Sequence, residues 1–241
     1  MKREVVITAD GSSTIHIPDW NEQYHSKHGA IQEAYHVFIK HGLHHLCSQI
    51  KTPLNVTPSV AEKSQNVLNH NNVSILEIGF GTGLNAFITL LEAEKLNLNI
   101  DYFGVEGYPV SVNEIEQLNY PKQLQVKKNE AFFYKLHEMS WEEKHDVTLH
   151  LSLTKQKKLF NDIDAIETFN LIYFDAFGAR VQPELWTESI FKKMHKALIP
   201  EGVLVTYSAR GSVRRAMQAV GFTVERLPGP PGKREMLRAT K

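Results

Sequence analysis

Asp175 follows the apolar run LIYF in NLIYFDAFG, and its neighbours make it the side chain best set up for chemistry. Continuous apolar character of this kind suits a strand buried on both faces. The carboxyl then stands at the strand's mouth, where burial with few neighbours gives such groups catalytic roles. Phe177, two residues on, either stacks on a flat substrate base or closes the core. A second feature, LEIGFGTGLN at residues 76–85, runs from an apolar strand into a turn spaced by Gly79, Gly81 and Gly83. Glycine lacks a Cβ and reaches positive φ at little cost, so such a turn lets backbone N–H groups approach a nucleotide-type cofactor closely. A tight strand-to-helix turn with no ligand carries the same pattern. In YFGVEGYPVS a further strand ends at Glu106, just before Gly107. That carboxylate either accepts both hydroxyls of a ribose or is simply solvated. In an open α/β sheet the ligand lies beyond the carboxyl ends of the strands, near the point where strand order reverses.

The elements that must position these residues alternate. Residues 4–17 read as two short strands around Asp10-Gly11, a composition that favours a hairpin. From His28 to Ile50 apolar residues recur at three and four, as on an amphipathic helix, with a break expected near Gly42. Residues 51–72 resemble a connection. The core is expected from Val73 on, with strands at Ser74–Ile78, Ile100–Val105, Val147–Leu151, Leu171–Phe174 and Val203–Thr206. Helices are expected at Leu84–Lys95, Val110–Leu118, Glu130–Glu138, Glu184–Leu198 and Val213–Val220, and a hairpin at Phe222–Thr240. Alternation of this kind implies a parallel sheet with helices on both faces. The domain organisation expected is an N-terminal hairpin and helical extension over residues 1–72, packed on a Rossmann-like core over 73–241.

The glycine spacing discriminates between cofactors. A dinucleotide fingerprint would place its third glycine or alanine at Leu84, whereas here the pattern is E-x-G-x-G-x-G. That pattern resembles motif I of class I S-adenosylmethionine methyltransferases. The resemblance implies that the turn meets the amino-acid end of S-adenosyl-L-methionine rather than a pyrophosphate. Glu77, Gly79, Gly81, Gly83 and Asn85 then belong to the cofactor site, as do Glu106 and Gly107. The closing hairpin, with an antiparallel last strand, is similar to the same class, so the fold expected is a mainly parallel seven-stranded class I methyltransferase sheet. Methylation of an amine needs its neutral lone pair in line with the methyl group, and a carboxylate such as Asp175 can orient the amine and take up its proton. Carbon methylation usually calls for a cysteine or a strong base, and Cys47, the single cysteine, is poorly placed in sequence. Nitrogen is the expected acceptor.

Composition bounds the rest. Lysine plus arginine and aspartate plus glutamate both number 27, so net charge gives no global argument for a nucleic-acid partner. Between Tyr207 and Lys241, however, eight basic residues face only Glu225 and Glu235, a bias that makes either a phosphate-binding face or a solvated surface. The tail LPGPPGKREMLRATK is a proline and glycine loop leading into a strand. It either holds phosphates or the acceptor, or serves only as a hairpin connection. One cysteine excludes an intrachain disulfide and a multi-thiolate metal site. His41 and His45, four apart on a helix, lack a supporting carboxylate, and no metal site is expected. No apolar run is long enough for a membrane helix and the N-terminus lacks a signal-like apolar centre, so a cytoplasmic location and no membrane partner are expected. Tyr24, His25 and Glu33 are candidates for a lid over the cofactor.

Five segments in order carry a more specific resemblance: HSKHGAIQEAYHVFIKHGL, LEIGFGTGLN, NLIYFDAFG with PELW, VLVTYSARGSVRRAMQAVGF and PGPPGKREMLRATK. Together they resemble the methyltransferase domain of the MnmC family of bifunctional tRNA wobble-uridine modification proteins, from about Tyr24 onward. That family's FAD-dependent oxidoreductase half has no counterpart here, so the likeness is to a stand-alone, MnmD-like form with no FAD domain in this chain. The resemblance implies methylation of the exocyclic amine of 5-aminomethyl(-2-thio)uridine in tRNA. It also implies Asp175 and Phe177 at the acceptor and Arg210, Arg214, Lys233 and Arg234 against tRNA, while Tyr24 and Glu33, as parts of the lid, are expected beside the cofactor. The sequence departs from many relatives after the third strand, where LHLSLTKQ offers Thr154 and Lys155 instead of an acidic residue for the adenine amino group. A small-molecule amine methyltransferase on the same fold, or a non-catalytic tRNA-binding protein, are the alternatives.

Overall fold

The computed structural model describes residues 2–51 and 71–241, so most of the expected connection at 51–72 lies outside the described residues. Strands β1 (Glu4–Ile7), β2 (Ser13–Ile17) and β3 (Glu22–Gln23) form a small antiparallel sheet, with β1 and β2 joined around Asp10-Gly11. Helix α1 (Ala30–Ala34) continues through a π-helical stretch, Tyr35–Leu43, into α2 (His44–Lys51). The expected break at Gly42 is absent. Gly42 instead faces the sheet, where a Cβ would fall 3.1 Å from Val205 Cγ2 and 3.3 Å from Tyr173, so its missing side chain lets the helix approach closely.

The core begins with β4 (Asn72–Ile78), α3 (Leu84–Leu96) and β5 (Asn99–Val105), followed by the short helices α4 (Val112–Ile115) and α5 (Tyr120–Gln123) and then α6 (Glu130–Glu138). Next come β6 (Lys144–Asp146), β7 (Leu151–Gln156), β8 (Phe169–Phe174), α7 (Glu188–Ala197) and β9 (Leu198–Thr206). Helix α8 (Gly211–Ala219) and the hairpin β10 (Thr223–Pro228) and β11 (Glu235–Thr240) close the chain. The large sheet has the order β10-β11-β9-β8-β4-β5-β7-β6. Its five central strands run parallel, and β11 lies antiparallel to β9, as the sequence pattern led us to expect. Beyond the seven expected strands, β6 adds a short antiparallel edge.

One face of the sheet is covered by the N-terminal helix, α3 and α6, through Phe38, Leu84, Phe87 and Phe133, and the other by α7 and α8, through Phe191, Val213 and Met217. The third parallel strand is displaced from its expected place at Val147–Leu151. Thr148 Oγ1 accepts the backbone N–H groups of His150 and Leu151, both at 3.1 Å, and that local turn wins over extension. Leu149, apolar in the sequence pattern, is consequently 95% exposed. Thr154 and Lys155 therefore lie inside β7 and not in the loop after it. The helix expected from Glu184 starts four residues later, because Pro183–Trp186 forms a 3-10 turn.

Candidate active site

Strand order reverses between β4 and β8, whose ends Ile78 and Phe174 are register partners. Gly79 and Asp175 thus emerge side by side. Gly79 has φ +92°, and a Cβ there would fall 2.8 Å from the Asp175 carbonyl oxygen, so only glycine allows the turn to pass so close to β8. A cavity of about 550 Å³ opens at this point, lined by Gly79, Gly81, Glu106, Gly107, Asp175 and Phe177. Tyr24 and His25 from the N-terminal extension line it too. Its volume is in the range of pockets that hold small molecules and cofactors.

Hydrogen bonds fix the acidic groups around the opening. The Asn85 amide nitrogen donates to Asp175 Oδ2 at 2.8 Å and to Glu77 Oε1 at 2.9 Å, while Tyr102 Oη donates to Glu77 Oε2 at 2.8 Å. Glu77 is 1% exposed, and burial pushes its carboxyl well above the ordinary range. Asp175 keeps one side open to the cavity. Burial, with the negative charge of Glu33 next in weight, pushes its carboxyl up to about 7, against the Asn85 hydrogen bond and the Lys233 charge, which pull it down. Glu106 Oε2 accepts the Gly81 backbone N–H at 3.0 Å and Oε1 accepts that of Tyr108 at 2.8 Å. Each carboxylate oxygen retains a lone pair for a further donor.

Phe177 packs edge-on against Trp20 (5.5 Å between centroids) and Tyr24 (4.9 Å). Tyr24 in turn covers Gly81, where a Cβ would fall 3.0 Å from the ring. Arg3 donates to the carbonyls of Tyr108 (2.9 Å) and Pro109 (3.2 Å) and sits 5.6 Å from the centroid of the Tyr24 ring, so β1 and its approach hold down the rim beside Glu106. Burial pushes the His25 imidazole down to about 4, which keeps it neutral.

The remaining sequence candidates lie behind or beside this cavity rather than on its wall. Glu77 and Asn85 form the second layer just described. Gly83, at φ +69°, starts α3 and faces His137. Glu33 accepts the Ser26 N–H at 2.8 Å and is ion-paired with Lys233. Arg210 and Arg234 are exposed and Arg214 partly so. Residues that the sequence reading did not single out also line the cavity: Arg3, Trp20, and Leu159, Phe160 and Asn161 in the loop after β7. Placing β7 four residues too early hid that loop; for Arg3 and Trp20 the sequence carried no local signal.

The donor set fits a nucleoside cofactor with an amino-acid arm. Gly79 and Gly81 make a cradle that side chains would fill, Glu106 offers acceptors, and the buried Asn85 Oδ1 at the same turn lacks a hydrogen-bond partner among the described residues. Strand order, glycine turn and carboxylate placement together define a class I S-adenosylmethionine methyltransferase. A family model described as S-adenosyl-L-methionine-dependent methyltransferase matches residues 114–241, and the chain belongs to this family. It is 25% identical over 227 residues to the tRNA 5-methylaminomethyl-2-thiouridine biosynthesis bifunctional protein MnmC of Hydrogenovibrio crunogenus, covering 90% of this chain and 31% of that one. To the Cupriavidus metallidurans protein of the same name it is 28% identical over 251 residues, covering 97% and 33%. The chain thus spans about a third of the length of these curated relatives. The crystal structure of MnmC2 from Aquifex aeolicus has the same fold, with a TM-score of 0.72 at 24% identity over 99% of this chain and 69% of that one.

Proposed function

We propose that this enzyme methylates the exocyclic amine of 5-aminomethyl(-2-thio)uridine at the wobble position of tRNA, giving the 5-methylaminomethyl product. The observation that carries the reading is Asp175, a carboxyl at the switch point that is tied to the cofactor turn through Asn85 and open to the cavity beside Phe177. The relatives are named for biosynthesis of 5-methylaminomethyl-2-thiouridine in tRNA, which supports the choice of acceptor.

In this reading Gly79, Gly81 and Gly83 shape the turn that receives the methionine end. Glu106, next to Gly107, takes the ribose, and Glu77 with Asn85 holds the turn from behind. Leu159 and Phe160 give the adenine an apolar wall. Bound there, S-adenosyl-L-methionine supplies an electrophilic methyl group. Asp175 accepts a hydrogen bond from the substrate amine, orients its lone pair and takes up its proton; a carboxyl near 7 suits that exchange at neutral pH. Phe177, backed by Trp20 and Tyr24, stacks on the uracil ring. The extension expected over residues 1–72 closes one side of the site on the 73–241 core through Trp20, Tyr24 and His25, and the exposed Arg210 and Arg234, with the partly exposed Arg214, meet tRNA phosphates. Among the described residues no helix is long and apolar enough to cross a membrane.

Incubation with labelled S-adenosyl-L-methionine and tRNA from a strain lacking the modification, followed by nucleoside analysis, tests the reading. The label is expected on the 5-methylaminomethyl nitrogen. Label on a base carbon, on ribose, or only on small amines overturns it.

A further inference from the structure

Lys233 sits in the loop between β10 and β11, and instead of reaching outward its ammonium is ion-paired with Glu33 of α1, a residue only 4% exposed. The same ammonium lies 3.8 Å from the centroid of the Tyr207 ring. Tyr207 Oη in turn donates to the Ala176 carbonyl at 2.8 Å, one residue beyond Asp175. The backbone gives a second sign that this approach is built into the fold. Gly232 has φ +82°, and a Cβ there would fall 2.1 Å from the His28 ring, so the loop meets the N-terminal segment where only glycine fits. Next to it, the Pro228 carbonyl lies 2.8 Å from His36 Nε2.

We propose that Glu33 and Lys233 form a charge-balanced clasp that joins the two ends of the chain behind Asp175, positions it, and fixes the pH range over which it works. The proposal rests on the reading of Asp175 as the proton acceptor. A lone cation beside Asp175 would favour its ionised form and a lone anion its protonated form, and in a closed pair each offsets much of the other, with Glu33 the stronger. Other charged or titratable groups around the carboxyl leave this balance in place. From β4, Glu77 is pushed toward its neutral form by burial, as is the Tyr102 phenol from β5. At the end of β9, the Tyr207 phenol is pushed the same way, while Arg210 beside it favours the charged form only weakly. His25, beside Glu33 and Lys233 on the N-terminal segment, is held neutral by burial. Asn85 contributes a hydrogen bond and no charge. Lys233 and Glu33 are positioning residues here, acting through Asp175.

The test is a carboxyl carbon NMR titration of the full chain, with the Asp175 signal assigned by its loss in Asp175→Asn. The wild-type midpoint is expected near 7. Lys233→Ala should move it upward by about one pH unit, a tenfold change in the ratio of ionised to protonated forms at a given pH. Glu33→Gln should move it down by at least as much, since the Glu33 charge outweighs that of Lys233, Glu33→Gln with Lys233→Met should leave it between the Glu33→Gln value and wild type, and Lys233→Arg should preserve it. Should Lys233→Ala not fold, Lys233→Gln, which keeps much of the arm, gives the same reading. Unchanged midpoints in both single variants, or shifts in the same direction, overturn the clasp. Because the titration needs no substrate, opposite shifts support the clasp even where no methyl reaches tRNA, and that second result counts against the wobble-uridine reading alone.

Discussion

Asp175 is held in a state that favours chemistry over stability. Folding encloses it against Glu77 and Asn85, and its carboxyl rises to about 7 from an ordinary value near 4. Between those values the folded chain holds a proton that the unfolded chain has released. This contribution therefore favours the fold at low pH and is lost as pH rises through the window. Asp175→Asn removes the ionisation but keeps an acceptor for the Asn85 amide. It is expected to raise the melting temperature at pH 8 relative to wild type, read by scanning calorimetry, and to leave the difference small at pH 4. The same substitution should cost about 100-fold or more in turnover. Titration calorimetry should find S-adenosyl-L-methionine affinity within about twofold of wild type; equal losses would move Asp175 into the cofactor site. In wild type the single-turnover rate should climb with pH up to about 7 and level off above it, since only the ionised carboxyl can take the proton, and that limb should vanish in Asp175→Asn.

Among the elements, the strand-to-helix turn after β4 tolerates least change. Gly79→Ala would set a Cβ 2.8 Å from the backbone oxygen of Asp175, just beyond β8, at φ +92°, and neither partner can swing away as a flexible side chain could. The expected cost is roughly 1–3 kcal/mol of stability, with weaker cofactor binding, measured by urea unfolding and calorimetry. Gly83→Ala, also at positive φ, meets only side chains, the His137 and Phe80 rings, and should lose less affinity; an equal loss would mean that the cradle extends to the helix start. This turn and the strand of Asp175 were legible in the sequence because both depend on local signals, glycine spacing and unbroken apolar runs. The strand leading to Leu159 and Phe160 was not, because a single Thr148 hydroxyl turns the chain where Val147 and Leu149 suggest extension. Nor was the continuity of the long N-terminal helix. Gly42 reads as a break by propensity, whereas tertiary contact with Tyr173 and Val205 makes it the point of closest packing, within a stretch where the His44 N–H reaches back five residues to Ile39. Trp20 and Arg3 enter the site through the docking of the small sheet, a long-range event that neighbours in sequence do not encode.

For the whole molecule, a net charge of zero conceals an uneven surface. Of the basic residues in the C-terminal segment, Arg226 pairs with Glu235, Arg238 with Glu225, Lys241 with Glu167 and Lys233 with Glu33. Those charges are compensated within the fold. Arg210 and Arg234 are exposed and Arg214 is partly so, and among the described residues none of the three takes part in an ion pair within 4.0 Å. Affinity for a polyanion depends on salt through the counterions that such contacts release, with a slope of about 0.7 to 0.9 per phosphate engaged. Arg210→Ala, Arg214→Ala and Arg234→Ala together should therefore flatten the dependence of log K on log salt by roughly 2 to 3 in filter binding to tRNA, while S-adenosyl-L-methionine affinity stays unchanged. Lys233→Ala, which removes a compensated charge, should leave the slope as it is and act on the pH profile instead. A triple variant with the wild-type slope would count against the proposed tRNA surface on α8 and the last hairpin. A flattened slope in Lys233→Ala would mean that this ammonium leaves Glu33 for a phosphate when tRNA binds.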